Sequence, residues 1–123
     1  MTDTKLLGSF GEAVTAEYLR KKGYKILGMN FRTRLGEIDV IASKGRFVAF
    51  VEVKLRKSAS FAQAREFVTR SKQLRVSAAA QEWLQQNECR LQPRFDVMEV
   101  YAPEGAATRE PLLQYWENAF TLD

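Results

Sequence analysis

The chain has 123 residues, 46% of them hydrophobic, and a net charge of +4, as expected for one folded domain with a basic surface. One cysteine and no histidine exclude an internal disulfide, a Ser-His-Asp triad, a Cys-His pair and a histidine-bound zinc. The sequence shows neither a long apolar run nor a secretory leader, so we expect a cytoplasmic protein that makes no membrane contact.

The first predicted element is a helix. Apolar residues recur at every fourth position between Leu6 and Lys22, Thr4 fits an N-cap, and Gly23 is placed to end the helix. Residues 24–27 are then typical of a short strand, and residues 30–34 are also consistent with an extended chain.

A β-hairpin is predicted in the centre of the chain. Two β-rich segments, residues 37–43 and 47–55, flank Lys44-Gly45-Arg46, which we interpret as the turn. The second segment is apolar on both faces up to Val51, which predicts a central strand that is covered on both sides.

The second half of the chain is less regular. Residues 58–67 fit a loop or a short helix, and residues 69–86 fit a longer helix. Residues 94–101 predict a strand that begins after Pro93, and residues 112–120 fit either a last strand or a short helix.

These elements predict an α/β fold in which helices pack on a mixed sheet. We expect a single domain over residues 1–123, with an ordered core at about 6–101 and a C-terminal tail at 102–123. Arg94 and Asp96 are interpreted as an internal ion pair, and the aromatic residues Tyr24, Trp83, Tyr101 and Trp116 are interpreted as core.

The residues that indicate chemistry lie in the hairpin. Because side chains alternate between the faces of a strand, Glu52 and Lys54 point to the same side. Burying either charge without a partner costs several kcal/mol, so the two must be paired, bound to a metal or placed at the rim of the sheet. An ordinary ion pair is the structural alternative.

Asp39 supplies a second carboxylate from the partner strand. With Lys44-Gly45-Arg46 as the turn it lies opposite Val51, and a turn that differs by one residue places it opposite Glu52. In either register the two carboxylates are roughly 5–7 Å apart and repel unless a cation lies between them. Without histidine, the ligands are oxygens, which favours Mg²⁺ or Mn²⁺. Lys54 would then orient water and offset transition-state charge in phosphodiester hydrolysis.

The same residues resemble a known motif. Gly36-Glu37-Ile38-Asp39 followed by Val51-Glu52-Val53-Lys54 resembles the PD-(D/E)XK motif of nucleases. Over most of residues 8–97 the chain is similar to the YraN-like proteins, an uncharacterised bacterial family described as Holliday-junction-resolvase-like. The matching stretches include residues 8–12, 36–41, 50–56 and 94–97. The resemblance implies a restriction-endonuclease-like fold, with a central mixed β-sheet flanked by α-helices.

The resemblance also implies further site residues. Glu12, on the first helix, matches a glutamate that joins the metal site in resolvases and restriction enzymes. The backbone carbonyl of Val53 would be another metal ligand beside Asp39 and Glu52, and Lys54 would be the catalytic lysine. Glu12 shares its helix face with small and apolar residues, so it can point inward.

The distribution of charge predicts a polyanionic partner. Residues 1–93 contain seventeen basic and nine acidic residues, a net charge of +8, whereas the remainder carries −4. The candidate nucleic-acid contacts are Arg32, Arg56, Lys57 and Lys72. For each of them singly, a solvated surface charge is the alternative.

We therefore favour a metal-dependent endonuclease that hydrolyses DNA, including branched, junction-like DNA. The first alternative is a nucleic-acid-binding module that keeps the nuclease fold without catalysis. The second is a protein-interaction scaffold, which the acidic tail suggests. A homodimer is a further expectation, because resolvase relatives make two cuts in one junction.

Overall fold

The computed structural model describes residues 4–57 and 68–121, with side chains from residue 8 onward. This part of the chain forms five strands and two α-helices. In chain order they are α1 (Thr4–Lys21), β1 (Lys25–Arg32), β2 (Glu37–Lys44), β3 (Phe47–Arg56), α2 (Arg70–Gln86), β4 (Gln92–Tyr101) and β5 (Leu112–Phe120). Residues 58–67, for which a loop or short helix is predicted, lie outside the described residues.

The strands form one mixed sheet in the order β1-β2-β3-β4-β5. β3 and β4 run parallel, whereas the other neighbours are antiparallel. A parallel pair needs a long crossover connection, and the segment that contains α2 provides it between β3 and β4. The predicted α/β fold with a mixed sheet flanked by helices is therefore confirmed.

β3 is buried on both faces, as its apolar sequence predicts. Val48 and Phe50 belong to the cluster that packs against α2, whereas Ala49 and Val51 pack with Leu19 of α1. Because successive residues of a strand point to opposite faces, α1 and α2 cover opposite sides of the sheet. Full burial of each of the larger side chains contributes roughly 1.5–3 kcal/mol to stability.

The predicted hairpin between β2 and β3 is confirmed, but its turn is shorter than predicted. Lys44 pairs with Phe47, so the turn consists of Gly45 and Arg46 alone. Gly45 has a φ of +58°, and two-residue hairpin turns favour glycine at such a position. The expected turn Lys44-Gly45-Arg46 was therefore one residue too long.

The helix ends follow their capping residues. Tyr24 donates its N–H to the carbonyl of Leu19 at 2.9 Å, and Gly23, with a φ of +93°, closes α1 as predicted. The hydroxyl of Thr69 accepts the N–H of Lys72 at 3.1 Å and caps α2. In the described part of the chain, neither helix is long and apolar enough to cross a membrane.

Several boundaries differ from the prediction. Thr4, the expected N-cap, already lies within α1, and residues 25–32 form one continuous strand. β4 begins at Gln92, so Pro93 lies within the strand. The proline is tolerated there because β5 pairs with β4 only from Phe95 onward. Residues 112–120, which were left open between strand and helix and counted in the tail, form β5 and pair with β4.

The loop between β1 and β2 packs tightly against α2 at Gly36. A methyl group at this position would lie 2.4 Å from the carbonyl oxygen of Arg75. Gly36→Ala is therefore expected to lower the free energy of unfolding by about 1–3 kcal/mol, measured by urea denaturation. Gly8→Ala is the matched control, because a methyl group there meets nothing within 4 Å. Equal losses in the two variants would contradict this close contact.

Candidate active site

Asp39 lies where β2 separates from β3. The last paired residues of the two strands are Val40 and Val51, although β2 stays paired with β1 as far as Glu37. The carboxylate of Asp39 bridges the opening, since its Oδ2 accepts the N–H of Val53 at 2.7 Å. The side chain thus replaces a backbone acceptor that β2 no longer offers to β3.

The shorter turn decides which residue faces Asp39. Continuing the observed register by one residue places Asp39 opposite Glu52, and not opposite Val51 as the longer turn required. Asp39 is two residues from Ile41, and Glu52 is two residues from Phe50, so the acidic side chains point to the same face of the sheet as these two. Ile41 and Phe50 belong to the cluster packed against α2. The second of the two registers considered from the sequence is therefore the one observed.

Glu52 is a buried carboxylate with two ammonium neighbours. It is 6% exposed, and its Oε1 lies 3.2 Å from Nζ of Lys72 and 3.9 Å from Nζ of Lys54. Burial, followed by the negative charge of Asp39, raises the pKa of Glu52 to about 7, although both lysines act in the opposite direction. The nearer cation, Lys72, was expected on the nucleic-acid surface and not against this carboxylate.

Asp39 shares the electrostatic conflict. Burial and the charge of Glu37 raise the pKa of its carboxyl, whereas the N–H of Val53 and the two lysines lower it. Burial therefore disfavours the ionised form of both carboxylates, and the two lysines offset this effect only in part. A cation between them would relieve this conflict.

Glu12 lies beside Asp39, at a cavity whose lining does not include Glu52. Its Oε2 accepts the side-chain N–H of Asn30 at 3.1 Å, and the two carboxylates line a cavity of about 260 Å³. Burial, and then the charge of Asp39, raises the pKa of Glu12. Asn30 was not predicted as a residue of the site. Its φ of +56° within β1 is a left-handed backbone conformation that asparagine tolerates well.

The three predicted acidic ligands are only partly assembled. Asp39, Glu52 and Lys54 come together, whereas no group of three acidic or thiol side chains within residues 4–57 and 68–121 is close enough to hold a metal ion. Val53, whose carbonyl was the fourth predicted ligand, adjoins Asp39 through its N–H. Two carboxylates and a carbonyl fit Mg²⁺ or Mn²⁺, since these ions fill their remaining positions with water.

Two of the predicted nucleic-acid contacts are turned inward. Lys72 contacts Glu52, and Nε of Arg56 lies 3.7 Å from Oε2 of the fully buried Glu99. Arg56 reaches Glu99 because β3 and β4 are parallel neighbours, a pairing that the local sequence did not specify. Neither cation is the free surface charge that we expected.

The other two predicted contacts are exposed. Lys57 is at the surface beyond β3, and Nε of Arg32 pairs with Glu37 at 3.3 Å. Arg32 also borders a groove of about 420 Å³ between the β1–β2 loop and α2. The groove is basic, because its lining combines one acidic residue, Glu37, with four cations, Arg32, Arg34, Lys72 and Arg75. It therefore offers positive charge directly beside the acidic pair.

The chain matches the model of the uncharacterised protein family UPF0102 over residues 11–100. It is 42% identical over 118 residues to a UPF0102 protein of Alkaliphilus metalliredigens, which covers 95% of this chain and 99% of that protein. It is 47% identical over 117 residues to a UPF0102 protein of Caldanaerobacter subterraneus subsp. tengcongensis, covering 94% and 95%. A relative from Syntrophotalea carbinolica is 46% identical over 118 residues, covering 95% and 93%. The candidate site lies entirely inside the matched range.

Proposed function

Because the chain belongs to the uncharacterised protein family UPF0102, as the YraN-like resemblance anticipated, we propose its function from its site: a metal-dependent endonuclease that hydrolyses DNA, including branched, junction-like DNA. The observation that carries this proposal is the meeting of Asp39 and Glu52 where β2 leaves β3, with two lysines beside them. A simple ion pair would need one carboxylate and one ammonium, whereas here two carboxylates face each other beside two ammonium groups.

The oxygen donors of this site suit a hard divalent cation. Asp39 and Glu52 would hold Mg²⁺ or Mn²⁺, and the Val53 carbonyl and Glu12 complete the set implied by the motif. When bound, such an ion supplies an activated water and polarises the scissile phosphate. The absence of histidine is no obstacle to this chemistry, because neither a covalent intermediate nor an imidazole base is required.

The two lysines have separate tasks in this proposal. Lys54, on the same strand face as Glu52, would orient the attacking water through its ammonium group. Lys72 approaches the same carboxylate from α2 and would offset the charge that builds up on the phosphate oxygens. The adjoining basic groove would hold the phosphate backbone through Arg34 and Arg75.

A cleavage panel tests the proposal. Junctions, flaps, nicked duplexes and single strands are incubated with Mg²⁺, with Mn²⁺ and with EDTA. We expect cleavage with either ion, none with EDTA, and the highest rate on a branched substrate. Gel filtration with and without a junction tests the expected homodimer. No cleavage of any substrate with either ion would contradict the proposed activity.

A nucleic-acid-binding module without catalysis is the second candidate. The observation that favours it is that Lys72 and Lys54 already compensate Glu52, while the described residues contain no three-ligand metal cluster. Calorimetric titration with Mg²⁺ separates the two candidates. Saturable heat of ion binding supports the endonuclease, whereas salt-sensitive DNA binding without any ion binding supports the module.

Lys72→Ala is expected to separate catalysis from metal binding. Its ammonium competes with a cation for Glu52, so the variant should bind Mg²⁺ at least as tightly as the natural chain does. The same change removes transition-state stabilisation, so single-turnover cleavage should slow by roughly tenfold to a hundredfold. Calorimetry and quenched-flow cleavage measure the two effects.

Lys57→Ala is the matched control for that variant. Lys57 is exposed, and we expect its loss only to weaken DNA binding and to reduce the dependence of that binding on salt. If Lys72→Ala behaved in the same way as Lys57→Ala, Lys72 would be an ordinary phosphate contact without a role in the acidic site.

A further inference from the structure

A second cavity lies at the opposite end of the sheet from the acidic pair. Its volume is about 420 Å³, and it opens between the end of α1, the β2–β3 hairpin and β5. Lys22 at its rim is ten positions along the chain from Glu12, or about 15 Å at the rise of an α-helix. Aromatic rings form much of its wall, contributed by Tyr18, Tyr24, Phe47 and Tyr115.

Two lysines stand at the mouth of this cavity. Nζ of Lys22 lies 5.6 Å from the ring centre of Tyr18, and Nζ of Lys44 lies 5.5 Å from that of Tyr24. Lys44 also donates to the backbone carbonyl of Lys22 at 2.6 Å, which satisfies a carbonyl at the end of α1. This contact accounts for the position of Lys44, and the Lys22 side chain lies over the ring of Tyr18.

Both lysines bring a positive charge to this cavity. Among the residues that the structure describes, neither lysine has a carboxylate within 4.0 Å. The remaining cation of the cavity, Arg94, is already paired with Asp96 at 2.9 Å. Glu117 also borders the cavity, and its carboxylate is paired with the guanidinium of Arg94 at 3.9 Å. Two ammonium groups at one rim that no carboxylate of the described residues contacts attract an anion.

We propose that this cavity binds a nucleotide, with its base against the tyrosine rings and its phosphate on Lys22 and Lys44. Bases stack on aromatic side chains, and ammonium groups bind phosphate oxygens through charge-assisted hydrogen bonds. A cavity of about 420 Å³ is within the usual range for small-molecule sites. The ligand is a free mononucleotide or the terminal nucleotide of a DNA strand, which share this chemistry. The site needs no metal ion and is separate from the proposed cleavage centre.

Nuclear magnetic resonance of the full chain in EDTA tests the proposal. Deoxyadenosine monophosphate is expected to shift the amide signals of Tyr24 and Lys44 and to bind at least roughly ten times more tightly than inorganic phosphate, which has no base to stack. A 5′-phosphorylated oligodeoxyadenylate distinguishes the two sources. Tighter binding of the oligonucleotide assigns a strand end, and binding no tighter than the mononucleotide assigns a free nucleotide.

Variants of cavity residues, with one control outside the cavity, locate the binding. The double variant Lys22→Ala, Lys44→Ala should weaken mononucleotide binding by roughly tenfold. Arg20→Ala removes an exposed charge from the same helix outside the cavity and should leave binding unchanged. Tyr18→Leu, which keeps an apolar side chain, should weaken the mononucleotide several-fold without affecting inorganic phosphate.

Three results would overturn the nucleotide site. They are the absence of shifts at Tyr24 and Lys44, equal affinity for phosphate and mononucleotide, and unchanged binding by the double lysine variant. Because EDTA is present throughout, none of these results bears on metal-dependent cleavage, and loss of cleavage in the substrate panel would leave this site untouched.

Discussion

Replacement of Glu52 by glutamine is expected to lower metal-dependent cleavage by roughly 10²–10³-fold. Glu52 is the more buried member of the acidic pair, and both Lys54 and Lys72 lie against its Oε1. Glutamine keeps the size of the side chain but removes the charge that would bind the ion. It also removes the group on which both ammonium groups converge, so the positions of the two lysines are lost as well.

The fold should survive this substitution. Glutamine removes a buried negative charge that faces Asp39, so we expect no decrease in the free energy of unfolding at neutral pH. Single-turnover cleavage with Mg²⁺ and with Mn²⁺, calorimetry of ion binding and urea denaturation measure the three consequences. Full cleavage by Glu52→Gln would refute the proposed catalytic centre.

Glu17→Gln is the matched control. It makes the same change of charge on α1, where Glu17 is exposed and pairs with Lys21 at 3.1 Å. Because exposed helix ion pairs contribute about 0.3–0.5 kcal/mol, we expect normal cleavage and almost normal stability. A similar loss of cleavage in both variants would indicate that overall charge, and not the acidic pair, governs the activity.

The central part of the site could be predicted because it depends on local rules. The alternation of side chains in β3 placed Glu52 and Lys54 on one face, and the short glycine turn paired β3 with β2. The register could be predicted only to within one residue. A loop of three residues and a turn of two both suit Lys44-Gly45-Arg46. The choice between them decides whether Asp39 lies opposite Val51 or opposite Glu52.

The remaining contacts of the site depend on packing between distant segments. Lys72 reaches Glu52 only because α2 returns over the sheet after the crossover from β3. Arg56 turns to Glu99 because β4 lies parallel to β3. Hydrophobic periodicity predicts that such helices and strands exist, but it does not specify which of their polar residues meet. The inward orientation of both cations was therefore not predicted.

The internal ion pair between Arg94 and Asp96 was predicted, but the network around it is larger than two residues. Asp96 is 0% exposed, and its carboxylate accepts Nε–H of Arg94 at 3.0 Å, the hydroxyl of Tyr115 at 2.5 Å and the N–H of Asn118 at 3.0 Å. Arg94 also donates to the hydroxyl of Tyr24. The carboxylate thus joins β4 to β5 at the irregularity in their pairing between Phe95 and Val97.

Asp96→Ala is expected to lower the free energy of unfolding by about 3–5 kcal/mol, because it leaves the guanidinium of Arg94 buried without its carboxylate. This is a large part of the roughly 5–15 kcal/mol that stabilises a small domain. Urea denaturation at neutral pH, followed by circular dichroism, measures the loss. Arg94→Met combined with Asp96→Leu should be less destabilising than Asp96→Ala alone, because it removes both charges together.

Glu117→Ala provides the comparison that isolates burial as the cause. Glu117 also lies near Arg94, at 3.9 Å, but its side chain is 64% exposed, so water already screens its charge. Its removal should therefore cost less than about 1 kcal/mol. Two carboxylates that contact the same guanidinium would then differ severalfold in their effect on stability because only Asp96 is enclosed. Equal losses in Asp96→Ala and Glu117→Ala would mean that the network around Asp96 contributes no more than a surface ion pair does.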